Sequence, residues 1–115
     1  MARVLICEPH DDISALLELV VRRLGHEPIT YSGETDYTGV DAAVIEPGVE
    51  AGLRLARSLR AQNVPVLFTS IYPADAEVLE LSPSVYLVKP FPLFALEPAL
   101  GDALAVSAPA PVALL

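Results

Sequence analysis

The sequence predicts an α/β domain: a parallel sheet with helices on both of its faces. Three observations carry this. Short, continuous apolar runs recur along the chain, as expected of strands buried on both sides. Between several of them, apolar residues repeat at helical spacing. The two patterns alternate through the chain, which is the arrangement of a parallel sheet covered by helices.

Val4 to Cys7 is the first strand. Ile13, Leu16, Leu17, Val20 and Leu24 then mark a helix, with Glu18, Arg22 and Arg23 elsewhere on its wheel. Asp12 is placed to cap this helix, Asp11 lies near its positive end, and Gly25 suits its stop. Pro28 to Tyr31 is a weak second strand, and the proline suggests an edge position. Ser32 to Val40 has turn chemistry and no helical stripe. Ala42 to Ile45 is a third strand. Gly52, Leu55, Ala56 and Leu59 form the inner face of the next helix, with Arg54, Arg57 and Arg60 as its solvated face. Val64 to Phe68 is a fourth strand, Ala74 to Leu81 a short helix, and Val85 to Val88 a fifth strand. Leu93 to Val106 is a last helix, weakened by Pro98 and Gly101. Residues 1–106 make one domain. Residues 107–115 form an apolar Pro/Ala tail, expected to be disordered or to act as an arm on a neighbour.

Bulk composition narrows the function. With 115 residues and 53% apolar content the chain has material for one full core. No apolar run approaches the ~20 residues that span a bilayer, and no signal-like segment opens the chain. The one cysteine, Cys7, excludes an internal disulfide and fits a reducing, cytoplasmic setting. A net charge of −8 argues against nucleic acid and favours a protein partner.

Sites in open parallel sheets form beyond the carboxyl ends of the strands. The residues there are Glu8, Glu46, Thr69, Ser70 and Lys89: two carboxylates, two hydroxyls and an ammonium. This is an inventory for a phosphate or a metal. Cys7 is read as a core thiol or a redox group, His10 as a loop residue or a ligand, and His26 as a complement to the first helix dipole.

Three stretches resemble the receiver domain of two-component response regulators. "YLVKPF" (Tyr86 to Phe91) is similar to the end of that family's fifth strand. "PVLFTS" (Pro65 to Ser70) is similar to its fourth strand, and "ISALLELVVRRLGHE" (Ile13 to Glu27) to its first helix and exit. The resemblance spans roughly residues 2–106. It implies a flavodoxin-like, doubly wound sheet of five strands in the order 2-1-3-4-5. It also implies a phosphoacceptor at position 46, a pair of Mg²⁺-binding acids at 8 and 9, a switch hydroxyl at Thr69, a phosphoryl contact at Lys89 and a switch aromatic at Tyr86.

The chain departs from that pattern where the chemistry is concentrated. Glu46 stands in place of the phosphoacceptor Asp, with its carboxylate about 1.5 Å further out. Pro9 stands in place of one metal acid, leaving Glu8 as a weak Mg²⁺ ligand. Asp11 and Asp12 fall three residues late, at the helix start, for capping or for a metal contact. The second helix of the family is expected to be shortened or missing, the loop after Glu46 to be short, and Ser82-Pro83 to close a short fourth helix.

The first functional expectation is therefore a stand-alone, degenerate receiver that is not an enzyme and needs no cofactor. It acts by phosphorylation-independent protein binding to a histidine kinase, another regulator or a second copy as a homodimer. Its contact face is expected at Leu79, Leu81, Tyr86, Leu93, Phe94 and Leu100. The alternative is a phosphorylatable, Mg²⁺-dependent receiver. A third reading is a cobalamin-type cofactor module, since "EPHDDI" loosely resembles an Asp-x-His-x-x-Gly loop. There Glu8 replaces the Asp and Ile13 the Gly.

Overall fold

The computed structural model describes residues 1–33, 39–48, 50–70, 85–88 and 93–107, with backbone alone for 50, 85, 86, 88, 93, 94 and 105–107. Five strands and three helices are described: β1 Arg3–Cys7, α1 Asp11–Arg23, β2 Glu27–Thr30, β3 Ala42–Ile45, α2 Glu50–Ala61, β4 Val66–Ser70, β5 Val85–Val88 and α3 Leu93–Ser107. The strands form one sheet in the order β2-β1-β3-β4-β5, and every pairing is parallel. This is the order expected from the family resemblance.

Alternation along the strands divides the core in two. Leu5, Cys7, Ala43, Ile45, Val66 and Phe68 face α2, meeting its Leu55, Ala56 and Leu59. Val4, Ile6, Val44 and Leu67 face the other way, onto Leu17, Val20 and Val21 of α1 and Leu96, Ala99 and Leu100 of α3. The central strands are therefore buried on both sides, which is why, beyond the exposed Arg3 that opens β1, they contain no polar residue until their carboxyl ends. Each fully buried Leu or Ile here contributes about 2 kcal/mol of transfer free energy.

The helix ends follow from local chemistry. α1 starts two residues earlier than the apolar stripe suggests. His10 is its N-cap, without a side-chain capping bond, and Asp11 and Asp12 lie inside the first turn. Asp12 is thus not the cap; both acids act on the positive helix end through charge alone. At the far end Gly25 adopts φ +85°. Its N–H donates to the Arg22 carbonyl (2.9 Å) and that of His26 to the Val21 carbonyl (3.0 Å). α2 stops the same way at Asn63, φ 61°, with Asn63 donating to Arg60 and Val64 to Leu59. That cap occupies Val64, so β4 begins at Val66 and takes in Thr69 and Ser70.

Pro98 lies inside α3. Its ring removes one intrahelical N–H, but the residue is exposed while Leu96, Ala99, Leu100 and Ala103 are buried. Packing of that stripe on the sheet holds the helix through the proline. Leu100, expected on a contact face, is 0% exposed and belongs to the core, because it continues that stripe.

β2 is the outer strand beyond β1. Glu27 and Tyr31 donate inward to the Ala2 and Ile6 carbonyls. By the two-residue alternation, Pro28 and Thr30 present their backbone outward, and Pro28 has no N–H to offer. Between β2 and β3 the described residues 31–33 and 39–41 are not helical; the remainder of the expected second-helix region, 34–38, lies outside the described residues. So do the expected fourth helix and the tail beyond Ser107. No described helix is long and apolar enough to cross a membrane.

Candidate functional site: the carboxyl rim of the sheet

The register brings three polar side chains into one row. Cys7 pairs with Ile45 and Ile45 with Phe68. One step further along, Glu8, Glu46 and Thr69 stand side by side across β1, β3 and β4. They share the parity of Ile6, Val44 and Leu67, and neighbouring strands are about 4.8 Å apart. The sequence reading places these residues on one rim, and the register sets them next to each other.

All three are withdrawn from water. The Glu8 side chain is 1% exposed, Glu46 is 9% exposed and Thr69 1%. The Nδ1 of His10, itself 71% exposed, stands 3.7 Å from Glu8 Oε1. The Thr69 hydroxyl finds no hydrogen-bond partner among the described residues. Cys7, directly beneath the two acids, reports their presence. Burial, then the charges of Glu8 and Glu46, push its thiol up to about 11, so it is a protonated core group and no nucleophile at neutral pH.

Glu46 is held by its own loop. Its backbone N–H donates to the Cys7 carbonyl at 2.9 Å. Its Oε1 accepts the Gly48 N–H at 2.9 Å, folding the carboxylate back over the turn into α2. Two glycines make room. A Cβ on Gly48 would sit 3.1 Å from Glu46 Oε1, and one on Gly52 would sit 2.4 Å from the Glu46 carbonyl oxygen. Sequence reasoning recognises Gly52 as part of the inner face of α2 but misses its closeness to Glu46. The only available signal is the spacing of Gly48 and Gly52 just after Glu46.

A cleft of about 250 Å³ opens beside this row, between the ends of β1 and β2. Its walls are Ile6, Cys7, Glu8, Pro9, Thr30 and Tyr31. Thr30 and Tyr31 escaped the sequence reading as site residues. The volume lies below the ~300–1,000 Å³ usual for drug-sized ligands and is too small for a corrin.

No family model matches the chain, and no curated protein matches it by sequence. Solved structures do match. The non-phosphorylated receiver domain of HemR from Leptospira biflexa superposes with a TM-score of 0.81 at 18% identity, covering 95% of this chain and 98% of that one. A response regulator from Thermotoga maritima gives 0.76 at 16% identity, with 91% and 98% covered. A sensor protein from Polaromonas sp. JS666 gives 0.74 at 24% identity, with 93% and 98% covered.

The fold is that of a receiver domain. On that fold a Mg²⁺ ion would lie among acids at the ends of β1 and β3, and the residues present do not fit it. Mg²⁺ demands near-octahedral oxygen coordination. Pro9 brings no side-chain oxygen, Glu46 Oε1 is engaged by Gly48, and Asp11 and Asp12 are exposed on α1. Among the described residues no group of three or more His, Cys, Asp or Glu side chains could hold a metal ion. Of the other expected receiver-site residues, Lys89, Leu79 and Leu81 lie outside the described residues. Tyr86 takes its place in β5 opposite Phe68, and Leu93 and Phe94 open α3, but their side chains lie outside the described set.

Proposed function

We propose that the chain is a receiver-type signalling domain of the two-component class that acts by binding a protein, independently of phosphorylation and of Mg²⁺. One observation carries the reading: the Glu46 carboxylate, at the phosphoacceptor position, is buried and folded back onto the Gly48 N–H. Phosphoryl transfer depends almost wholly on positioning and charge stabilisation. A displacement of about 1 Å costs on the order of 100-fold in rate. Here the carboxylate at position 46 is one methylene longer than an aspartate's and engaged by Gly48, and Pro9 brings no side-chain oxygen. On this reading the domain is a binding module and not an enzyme. Its partner is a histidine kinase, another regulator or a second copy. The contact surface is carried by Leu79, Leu81, Tyr86, Leu93 and Phe94.

The Thr69 hydroxyl favours a second reading. A buried donor with no partner among the described residues is a place where a phosphoryl oxygen would be welcome. The alternative is therefore a working receiver that is phosphorylated despite Glu46 and Pro9.

Beryllofluoride with Mg²⁺ mimics the phosphoryl group and separates the two. We expect backbone amide NMR signals of Glu46, Thr69 and their neighbours to stay unmoved. Saturable shifts there would overturn phosphorylation independence. Light scattering across concentration tests self-association, and a chain that stays monomeric would exclude the homodimer.

A further inference from the structure

We propose that the exposed face of α1 is a docking surface for a second copy of this chain, met antiparallel across a two-fold axis. Asp12, Leu16, Leu19 and Arg23 define it. Their 4-3-4 spacing keeps them within ~60° of one another around the helix, and all four are exposed. Leu16 is 43% and Leu19 51% exposed; apart from Met1, they are the exposed large apolar side chains among the described residues. One exposed leucine is ordinary. Two on adjacent turns, with a charge beyond each end, form a short seam of the kind that helices bury against each other. The chain itself does not use this seam. The core side of α1 is Leu17, Val20 and Val21, and Glu18 is engaged by Thr30 on another flank. Neither Asp12 nor Arg23 has an ion-pair or hydrogen-bond partner among the described residues.

The order of the four residues selects the occupant. Asp12 with Arg23, and Leu16 with Leu19, share one midpoint, between Leu17 and Glu18. Two antiparallel copies therefore set Leu16 of each against Leu19 of the other, and Asp12 of each against Arg23 of the other. Parallel copies would set Asp12 against Asp12 and Arg23 against Arg23, and like charges at such range repel. The antiparallel contact uses the same patch on both copies, so it closes at two. The seam is about 16 Å long, and the net charge of −8 opposes the approach of two copies. A weak dimer follows, with a Kd on the order of 100 µM. This surface is separate from the one proposed above and does not depend on the state of the rim.

Sedimentation equilibrium and amide NMR of the intact chain, from about 10 µM to about 1 mM, test the contact. A dimer is expected, with concentration-dependent shifts centred on Asp12, Leu16, Leu19 and Arg23. Leu19→Lys should weaken association roughly tenfold or more. Asp12→Arg and Arg23→Asp each set like charges against each other and should do the same singly. An equimolar mixture of those two variants restores opposite charges at both ends and should recover association. A contact elsewhere on the molecule would not give that recovery. Circular dichroism checks that each variant folds; if a charge variant does not, Leu19→Lys and the map of shifts decide. A chain monomeric at about 1 mM, association unchanged by Leu19→Lys, or a mixture no better than its components would overturn the α1 contact. The two proposals fail separately. Beryllofluoride binding with the α1 dimer intact removes the phosphorylation-independent reading and leaves the dimer. A rim silent to beryllofluoride in a chain without the α1 contact removes the dimer and leaves the reading.

Discussion

The two edges of the sheet handle polar groups in opposite ways. At the amino edge they lie in water and bind each other. Arg3 donates its N–H to Asp41 Oδ2 (2.8 Å) and receives the Asp41 N–H on its carbonyl (2.8 Å). Its Nε stands 3.7 Å from Glu27 Oε2, with both side chains about half exposed. The Ala2 N–H donates to His26 Nδ1 at 3.0 Å. These contacts tie β1, β2 and β3 together cheaply, each worth little because water competes. At the carboxyl edge Glu8, Glu46 and Thr69 are buried, which costs free energy that packing elsewhere must offset. The polar groups of the carboxyl edge are thus set apart by burial, whereas those at the amino edge are exposed ties between strands.

Four measurements break or sharpen that contrast. Gly52→Ala drives a Cβ against the Glu46 carbonyl, a backbone atom that cannot step aside, and should cost about 2–3 kcal/mol in urea unfolding. Its amide spectrum should change first around Glu46.

Alkaline pH probes the same edge through Cys7. Its folded thiol is raised from the usual 9.0 to about 11. Below 9.0 both folded and unfolded thiols hold their proton, and this group adds no slope. Above it the unfolded thiol ionises while the folded one does not. Stability is therefore lost as pH rises from 9.0 towards 11, by on the order of 2 kcal/mol. Cys7→Ala should flatten that part of the pH–stability curve, and an unchanged slope would mean that burial and the two acids do not raise the folded thiol.

Asp41→Ala removes one exposed contact at the amino edge and should cost about 0.5–1 kcal/mol, with less effect in high salt. Thr69→Val should be smallest of all in stability, from no change to a gain of up to about 1 kcal/mol, since a methyl replaces a buried hydroxyl. A clear loss would show that Thr69 is structural.

Periodicity made the scaffold legible. Ala42–Ile45 and Val85–Val88 form strands over the expected residues, because continuous apolar runs in an alternating chain have few other uses. Boundaries set by one residue's backbone were not legible. Asp12 looks like a cap by composition, yet His10 holds that position. Thr69 and Ser70 look like loop residues, yet they finish β4, since a polar side chain at a strand end does not interrupt the ladder. Leu100 has the composition of a contact residue, and only the stripe it shares with Leu96 and Ala103 sends it inward. The rim inventory could be read from strand ends. The folding of Glu46 onto Gly48 could not, because it depends on where a loop turns in space.

The outer strand β2 limits how the domain can assemble. A parallel sheet with a bare flank is a template on which another chain can lay a strand, and repetition of that step gives filaments. Pro28 stands where the outward ladder needs a donor. With the neighbouring outward position at Thr30, it leaves that flank one N–H in a four-residue strand. Sheet-to-sheet polymerisation through β2 is thereby disfavoured.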